Sequence, residues 1–115
     1  MRRGDVYLVD LNPNQGAEAD KIRPVVIVSN GAANRAAERT RRGVVTVIPL
    51  TSSTSRVFPF QVLVPAGEGG LRSASKAQAE QIRSVDISRL KGRIGTLPPA
   101  RLAEVDAAIR VHLEL

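Results

Sequence analysis

The chain has 115 residues, of which 43% are hydrophobic and 24% are charged. This length predicts a single domain spanning residues 1–115, and no apolar run approaches the roughly 18 residues that a membrane span needs. The lack of cysteine in the sequence excludes disulfides, thiolate metal sites and cysteine redox chemistry. The first residues lack the continuous apolar stretch of a signal peptide, so we expect a cytoplasmic protein.

The charge balance favours an anionic partner. Lysine and arginine together number 17 against 11 aspartates and glutamates, which gives a net charge of +6. Arginine supplies most of this charge, and its planar guanidinium grips phosphate or carboxylate through two parallel hydrogen bonds. Nucleic acid is therefore an expected partner, although an acidic protein fits the same charge.

Four segments have the β-branched composition or the alternating pattern that predicts strands. In chain order they are residues 6–11, 24–29, 44–50 and 60–64. The second segment is continuously apolar, as expected for a strand that is buried on both faces. A loop rich in Asn and Pro follows the first segment, and a Gly-rich turn at residues 66–70 follows the fourth.

Helical signals occur in the middle and at the end of the chain. Residues 32–39 favour one or two helical turns, whereas residues 76–85 are ambiguous because their alanines favour a helix, and we predict a strand there. Two prolines open a C-terminal helix, in which apolar residues recur at spacings of three and four. These residues are Leu102, Val105, Ile109 and Leu113. Together the parts predict an α+β fold that is mainly β, with a small bent sheet or barrel and short helices.

Common catalytic motifs are absent from the sequence. It contains no Gly-rich phosphate loop ending in Lys-Ser or Lys-Thr, no His and Cys pair at zinc spacing and no Gly-flanked serine elbow. The single histidine, His112, falls in the last turn of the predicted helix, where capping or solvation is commoner than catalysis. We expect neither a metal nor another cofactor.

Polar residues stand at the ends of two predicted strands. Arg23 comes just before one buried strand, and a hydroxyl-rich segment that begins at Thr51 comes just after another. A sheet that brings these ends together would place a fixed cation beside hydroxyls and so form a phosphate site. A surface arginine and a polar loop explain the same pattern, so spacing alone does not identify an enzyme.

Several sequence blocks resemble the MazF/PemK toxin family in their order and separation, along nearly the whole chain. The blocks are RGDVY at 3–7 with DL at 10–11, GAE at 16–18, RPVVIVSN at 23–30, VIPLTS at 47–52, FPF at 58–60 and AEQIRSV at 79–85. The resemblance implies a small SH3-like β-barrel of the CcdB/PemK type, with short helices and a C-terminal helix. It also favours a strand over residues 76–85 and implies a homodimer.

The activity implied by the resemblance is that of a toxin from a type II toxin-antitoxin system, which inhibits translation and growth. Such a protein cuts single-stranded RNA at specific short sequences without a metal. The 2′-hydroxyl attacks the adjacent phosphorus and leaves a 2′,3′-cyclic phosphate and a 5′-hydroxyl. The implied partner besides RNA is a cognate, MazE-like antitoxin whose acidic C-terminal segment competes with RNA.

Matching the motifs of the family carries two catalytic roles onto this chain, for Arg23 and Thr51. Arginine is a poor proton acceptor because it stays protonated far above neutral pH, so the general base is a separate question. Glu18 is one candidate for the base, and a salt bridge to Arg23 or a solvated loop charge is its alternative role. The residues expected to bind RNA are Lys21, Ser52, Ser53, Phe58 and Gln81. For Phe58 a buried structural role is the alternative.

Two other functions fit part of the pattern. Toxins of similar fold that bind DNA gyrase cleave nothing, but they end in Trp-Gly-Ile, whereas this chain ends Leu113-Glu114-Leu115 and has no tryptophan. A nucleic-acid-binding regulator without catalysis agrees with the charge but gives no reason for the blocks around Arg23 and Thr51. The ribonuclease hypothesis accounts for both.

Overall fold

Strands dominate the computed structural model of the chain, which describes residues 1–11 and 22–115. Within these ranges there are seven strands, two α-helices and three short 3-10 turns. The strands are β1 (Asp5–Asp10), β2 (Ile22–Ile27), β3 (Val44–Thr51), β4 (Gln61–Val64), β5 (Ser75–Gln78), β6 (Arg83–Asp86) and β7 (Leu90–Thr96). The helices are α1 (Gly31–Thr40) and α2 (Pro99–Leu113), and the turns are Glu68–Gly70, Ala79–Gln81 and Ile87–Arg89.

All strand pairs are antiparallel, and β3 is the hub of the sheet. The strand order is β4-β5-β3-β2-β1-β7, with β6 pairing β3 as well. One edge of β3 pairs with β2, while the other edge pairs with β6 over 44–47 and with β5 over 50–51. The terminal strands β4 and β7 do not pair with each other within the described ranges, so the sheet is not closed. The predicted mainly β fold with short helices and a C-terminal helix is confirmed.

The sheet is apolar on both faces, which gives two cores. The first core lies beneath α2, and its central residues Val26, Ile48 and Val64 are 0% exposed. The second core lies on the opposite face, where α1 inserts Ala37 against strand residues that include Val25. The continuous apolar sequence of β2 is therefore explained, since its successive side chains enter the two cores alternately.

The ends of the helices follow from local chemistry. Asn30 caps α1, because its side-chain oxygen accepts a hydrogen bond from the Ala33 N–H at 2.8 Å. The first residue of α2 is Pro99. Proline has no N–H, but the N–H of a first helical residue has no partner within the helix, so no helical hydrogen bond is lost. Val105, in the middle of α2, is buried, but Leu113, its last residue, is 46% exposed. The buried face of this helix is therefore shorter than predicted.

Two segments differ from the sequence prediction. Residues 76–85 form β5, a 3-10 turn and β6 instead of one strand, so the prediction of a continuous strand was wrong. The two strands pair with β3 on either side of Pro49, which has no N–H to offer to a continuous ladder. The sequence analysis also missed β7, which contains two glycines. A Cβ atom at Gly95 would lie 2.3 Å from the Gly69 carbonyl carbon, so only glycine fits there.

No helix in the described part of the chain combines the length and the apolar composition needed to cross a bilayer.

Candidate active site

The register of β2 and β3 brings together the two residues predicted to be catalytic. The ladder between β2 and β3 ends where Val25 pairs with Pro49, and Arg23 and Thr51 each lie two residues beyond this pair along their own strands. Directly opposed residues in an antiparallel pair point to the same face of the sheet, and so do residues two apart on one strand. Arg23 and Thr51 accordingly line one cleft of about 330 Å³, which we name the Thr51 cleft. Its other lining residues are Leu11, Pro49, Gln78, Gln81 and Arg83.

The Thr51 hydroxyl is held by the backbone that follows it. Its oxygen accepts a hydrogen bond from the Ser53 N–H at 3.2 Å. A hydroxyl has one proton to donate besides its lone pairs, so this bond leaves the proton available to a ligand in the cleft. The arrangement orients a hydrogen-bond donor without consuming it.

Two guanidinium groups face the Thr51 cleft. Both Arg23 and Arg83 are exposed, and neither pairs with a carboxylate among the described residues. Arginine remains charged at any physiological pH, so the cleft carries a fixed positive charge that no described acid compensates. Sequence reasoning missed Arg83, although it follows Gln81 by two residues within the matching block AEQIRSV, a spacing that keeps side chains on one face of a strand.

Gln81 lies in the Thr51 cleft, as expected for a residue that binds RNA, and Gln78 joins it there without having been predicted. The amides can donate and accept hydrogen bonds, which suits the edges of unpaired bases. Ser52 lies outside this cleft and lines a neighbouring one, while Ser53 is exposed and lines neither. The hydroxyls of Thr51, Ser52 and Ser53 therefore do not share one cleft.

Phe58 does not line the Thr51 cleft but sits in the loop that follows Thr51. Its ring is 41% exposed and is stacked on Phe60, with the ring centroids 5.4 Å apart and the planes inclined by 8°. The Arg56 guanidinium lies 5.3 Å from the Phe58 ring centroid. The alternative of a buried structural role is therefore wrong, although Phe60 covers one face of the exposed ring.

A buried amide ties this loop to the turn that carries Gln81. The Gln61 side-chain oxygen accepts the Phe58 N–H at 3.0 Å, and its amide nitrogen donates to Glu80 at 2.8 Å. A carboxylate can only accept, so Glu80 fixes which way the Gln61 amide points. The second carboxylate oxygen of Glu80 is buried and has no hydrogen-bond partner among the described residues.

A larger cleft, of about 470 Å³, opens on the side of α1. Its walls include Tyr7, Ile87 and Leu90, which pack on the margin of the second core. Burial raises the pKa of Tyr7 above its ordinary value of 10.0, and the carboxylates of Glu38 and Asp5 act in the same direction. The phenol is therefore neutral at pH 7, and this cleft has a more apolar character than the Thr51 cleft.

The remaining predicted residues have other positions. Glu18 and Lys21 lie outside the described residues. His112 is exposed in the last turn of α2, and its ring centroid is 6.3 Å from that of Phe60. Within the described ranges, no three His, Asp or Glu side chains are grouped so that they could hold a metal ion.

A cleft with two uncompensated guanidiniums, an oriented hydroxyl and two amides defines a protein that binds an anionic chain rich in hydrogen-bonding groups, such as a nucleic acid. The family model described as "PemK-like, MazF-like toxin of type II toxin-antitoxin system" matches residues 2–113. The chain belongs to this toxin family, as the sequence blocks predicted.

Known relatives are similar to this chain over more than nine tenths of their own lengths. Endoribonuclease MazF9 of Mycobacterium tuberculosis is 51% identical over 115 residues, which is 100% of this chain and 98% of the relative. Endoribonuclease MazF of Staphylococcus saprophyticus is 38% identical over 116 residues, covering 100% and 92%. A solved mycobacterial endoribonuclease in complex with its cognate antitoxin is 27% identical, with a TM-score of 0.79 over 100% of this chain and 96% of that one.

Proposed function

We propose that the chain is an endoribonuclease toxin that cleaves single-stranded RNA at specific short sequences without a metal. The observation that carries this proposal is that Arg23 and Thr51 line one cleft, which also contains Gln81 and Arg83. The names of the relatives from Mycobacterium tuberculosis and Staphylococcus saprophyticus support the same activity. We place the enzyme in the cytoplasm, as a single domain over residues 1–115.

In the proposed reaction, the 2′-oxygen of one ribose forms a bond to the adjacent phosphorus while the bond from phosphorus to the 5′-oxygen breaks. Negative charge gathers on the non-bridging oxygens as the phosphorane forms. The Arg23 guanidinium and the Thr51 hydroxyl stabilise this charge as preorganised donors, which is the largest contribution to many enzymatic rates. No water enters the bond changes, so the products are a cyclic phosphate and a 5′-hydroxyl.

Two proton transfers complete the reaction. The 2′-hydroxyl loses its proton to a base, and the leaving 5′-oxygen gains one. An arginine keeps its proton too firmly to act as the base, although it can donate a proton or hydrogen bond toward the leaving oxygen. Glu18 is our candidate for the base, with a salt bridge to Arg23 as its alternative role, and Lys21 is proposed to bind a phosphate.

The site residues outside the bond changes are proposed to hold the RNA. The Gln81 amide lies beside Arg23 and Thr51 in the Thr51 cleft, where it can hydrogen-bond a base next to the cut. Phe58 offers its exposed ring for stacking, and Ser52 and Ser53 offer exposed hydroxyls just after the end of β3. The aromatic share of 3% limits stacking, so sequence recognition rests mainly on hydrogen bonds.

The proposed protein partners are a second copy of the chain and an acidic, MazE-like antitoxin. An acidic segment would find in Arg23 and Arg83 the same cations that bind RNA, so the two ligands compete. A solved relative in complex with its cognate antitoxin supports this pairing. For the homodimer, support comes from the margin of the second core, where Tyr7, Ile87 and Leu90 remain only partly covered.

The proposal is tested by incubating the purified protein with long, weakly structured RNAs in EDTA and mapping the new ends. We expect discrete cuts that bear a 2′,3′-cyclic phosphate and a 5′-hydroxyl, and their loss in folded Arg23→Ala and Thr51→Ala variants. Failure of folded wild-type protein to cleave any of several diverse RNAs would overturn the proposal. Gyrase inhibition would then be assayed.

A further inference from the structure

Arg23 lies between two clefts, only one of which has a role in the proposed reaction. β3 ends at Thr51, and Ser52 is the first residue after the strand. Thr51 lines the Thr51 cleft, whereas Ser52 lines a second cleft of about 230 Å³, which we name the Ser52 cleft. Arg23 lines both, so the two clefts adjoin at this residue.

The Ser52 cleft combines an apolar floor with a polar rim. Leu50 and Leu71, which are 1% and 6% exposed, belong to the first core and form part of its lining. Ser52, Arg72 and Ser73 are exposed around it. An apolar surface for a ribose, beside a cation and two hydroxyls for a phosphate, matches the chemistry of one sugar–phosphate unit.

Arg72 brings a charge that the surrounding loop does not compensate. The acid of the same loop, Glu68, accepts two hydrogen bonds from Arg101, at 2.8 and 3.0 Å. These bonds lower the pKa of Glu68, so its carboxylate stays ionised and engaged with Arg101. Among the described residues, no carboxylate pairs with Arg72, and its guanidinium is left to a ligand.

A further cleft adjoins the Ser52 cleft at Arg72. This residue also lines a third cleft, of about 320 Å³, together with Leu8, Pro24 and Ile94. Arg72 therefore borders both the Ser52 cleft and this third cleft. A cation shared by two adjoining clefts is well placed to hold a strand that passes from one to the other.

We propose that the Ser52 cleft binds the RNA nucleotide next to the scissile phosphate, with Arg72 holding its phosphate. Ser52 and Ser73 donate hydrogen bonds to phosphate or ribose oxygens of the same nucleotide. The inference rests on the proposed function, because that function places the scissile phosphate at Arg23 and Thr51. Contacts to the backbone position the strand without reading its sequence, so Arg72 raises affinity and leaves the cleavage sequence unchanged.

The binding test uses a short, mixed-sequence, single-stranded 2′-O-methyl RNA, whose 2′-oxygens cannot attack. Its dissociation constant is measured at several salt concentrations for the wild type, Arg72→Ala and Arg72→Lys. Losing one phosphate contact lowers the slope of log affinity against log salt by about 0.7 for a single strand. We expect this loss in Arg72→Ala and retention of most of the slope in Arg72→Lys. The matched control is Arg39→Ala, which removes an exposed arginine from the last turn of α1 and should leave the slope unchanged.

The kinetic test uses an RNA that contains a mapped cleavage site, shortened stepwise from either end. We expect Arg72→Ala to raise KM about ten-fold on the longest RNA and to leave kcat unchanged, as the loss of one charge-assisted hydrogen bond predicts. Shortening the RNA on one side should abolish the difference between variant and wild type. That side identifies the direction in which the strand leaves Arg23.

The outcomes separate this inference from the proposed function. Normal cleavage by the wild type, with KM and salt slope unchanged in Arg72→Ala, would overturn the inference alone. Equal effects of Arg72→Ala and Arg39→Ala would also overturn it, because they would indicate general electrostatic attraction. If the wild type cleaved no RNA, the proposed function would fail, and the salt slope on 2′-O-methyl RNA would still decide whether Arg72 binds the strand.

Discussion

The two ends of β3 are both rich in arginine, yet only one of them has the parts of an active site. At the end near Thr51, Arg23 and Arg83 face a cleft that contains an oriented hydroxyl and two amides. At the end near Val44, Arg41 and Arg42 are exposed in the connection from α1. The strand has eight residues, so the two ends are separated by roughly 23 Å.

The comparison shows that charge alone does not make a site in this molecule. Arg42 is carried by a short connection, whereas Arg23 lies on β2, where it pairs with Val9 of β1 and lines one cleft with Thr51. Electrostatic stabilisation of a transition state requires donors that are already in place when charge develops. At one end of β3, strand pairing holds the donors in place. At the other end, the arginines lie in a connection between a helix and a strand, which does not hold them in this way.

The largest contrast is expected between Arg23→Ala and Arg42→Ala. Removing Arg23 takes away the main donor to the developing charge, so kcat should fall about 10³-fold. Removing Arg42 takes away the same charge at the other end of β3 and should change kcat less than about two-fold. Single-turnover cleavage of one mapped RNA measures both, and comparable losses in the two variants would contradict the distinction between the ends.

A smaller contrast is expected between two threonines. Thr51→Val removes the donor hydroxyl at nearly constant volume and should lower kcat about 10²-fold, while Thr51→Ser should restore much of the rate. Thr40→Val is the matched control, because the Thr40 hydroxyl donates to the Ala36 carbonyl oxygen within α1 at 2.9 Å. The same kinetic assay tests this prediction, which fails if Thr51→Val cleaves as fast as Thr40→Val.

The loop after Thr51 gives a prediction about stability. Gln61→Leu deprives the Phe58 N–H and a partly buried Glu80 carboxylate of their partner. An unsatisfied buried polar group costs about 1–3 kcal/mol, so the free energy of unfolding should fall by that amount. Urea unfolding measures the change. Glu80→Gln keeps a hydrogen-bonding partner for Gln61 and should lose less, and a larger loss in Glu80→Gln than in Gln61→Leu would contradict the network.

The smallest expected effect concerns the ion pair that anchors the loop carrying Arg72. Arg101 lowers the pKa of Glu68 below its ordinary value of 4.5, so folding is favoured above that value and the contribution is lost as pH falls through the lowered pKa. Between pH 7 and pH 3, Tm should fall slightly more for the wild type than for Glu68→Gln. An equal fall of Tm with pH in the wild type and in Glu68→Gln would contradict the claim that this ion pair stabilises the folded state.

Much of the fold was predictable from the sequence because burial leaves a direct signal. The β-branched residues of β2 and β3 predicted both strands, and the paired prolines marked the start of α2. By contrast, β7 contains Gly92 and Gly95, and its sequence resembles a loop. Gly95 is required by a close backbone approach from Gly69 and Gly70, which only the tertiary structure reveals.

The candidate site was predictable to the extent that it follows from strand ends. Arg23 and Thr51 were placed at the ends of strands, and the antiparallel pairing of β2 with β3 brings these two ends to one cleft. Arg83 and Arg72 were missed because their roles depend on which cleft each side chain lines. That placement is set by how β3 divides its pairing between β5 and β6, and the sequence pattern suggested one continuous strand there.

The most direct test of the central claim is a double-mutant cycle on Arg23 and Thr51, read by single-turnover cleavage of one mapped RNA. If both residues stabilise the same phosphorane, their effects are strongly non-additive, as in other groups that act as a unit. We predict that adding Thr51→Val to Arg23→Ala lowers the rate less than about ten-fold further. Multiplication of the two separate losses would contradict the claim that one register places both donors on one phosphate.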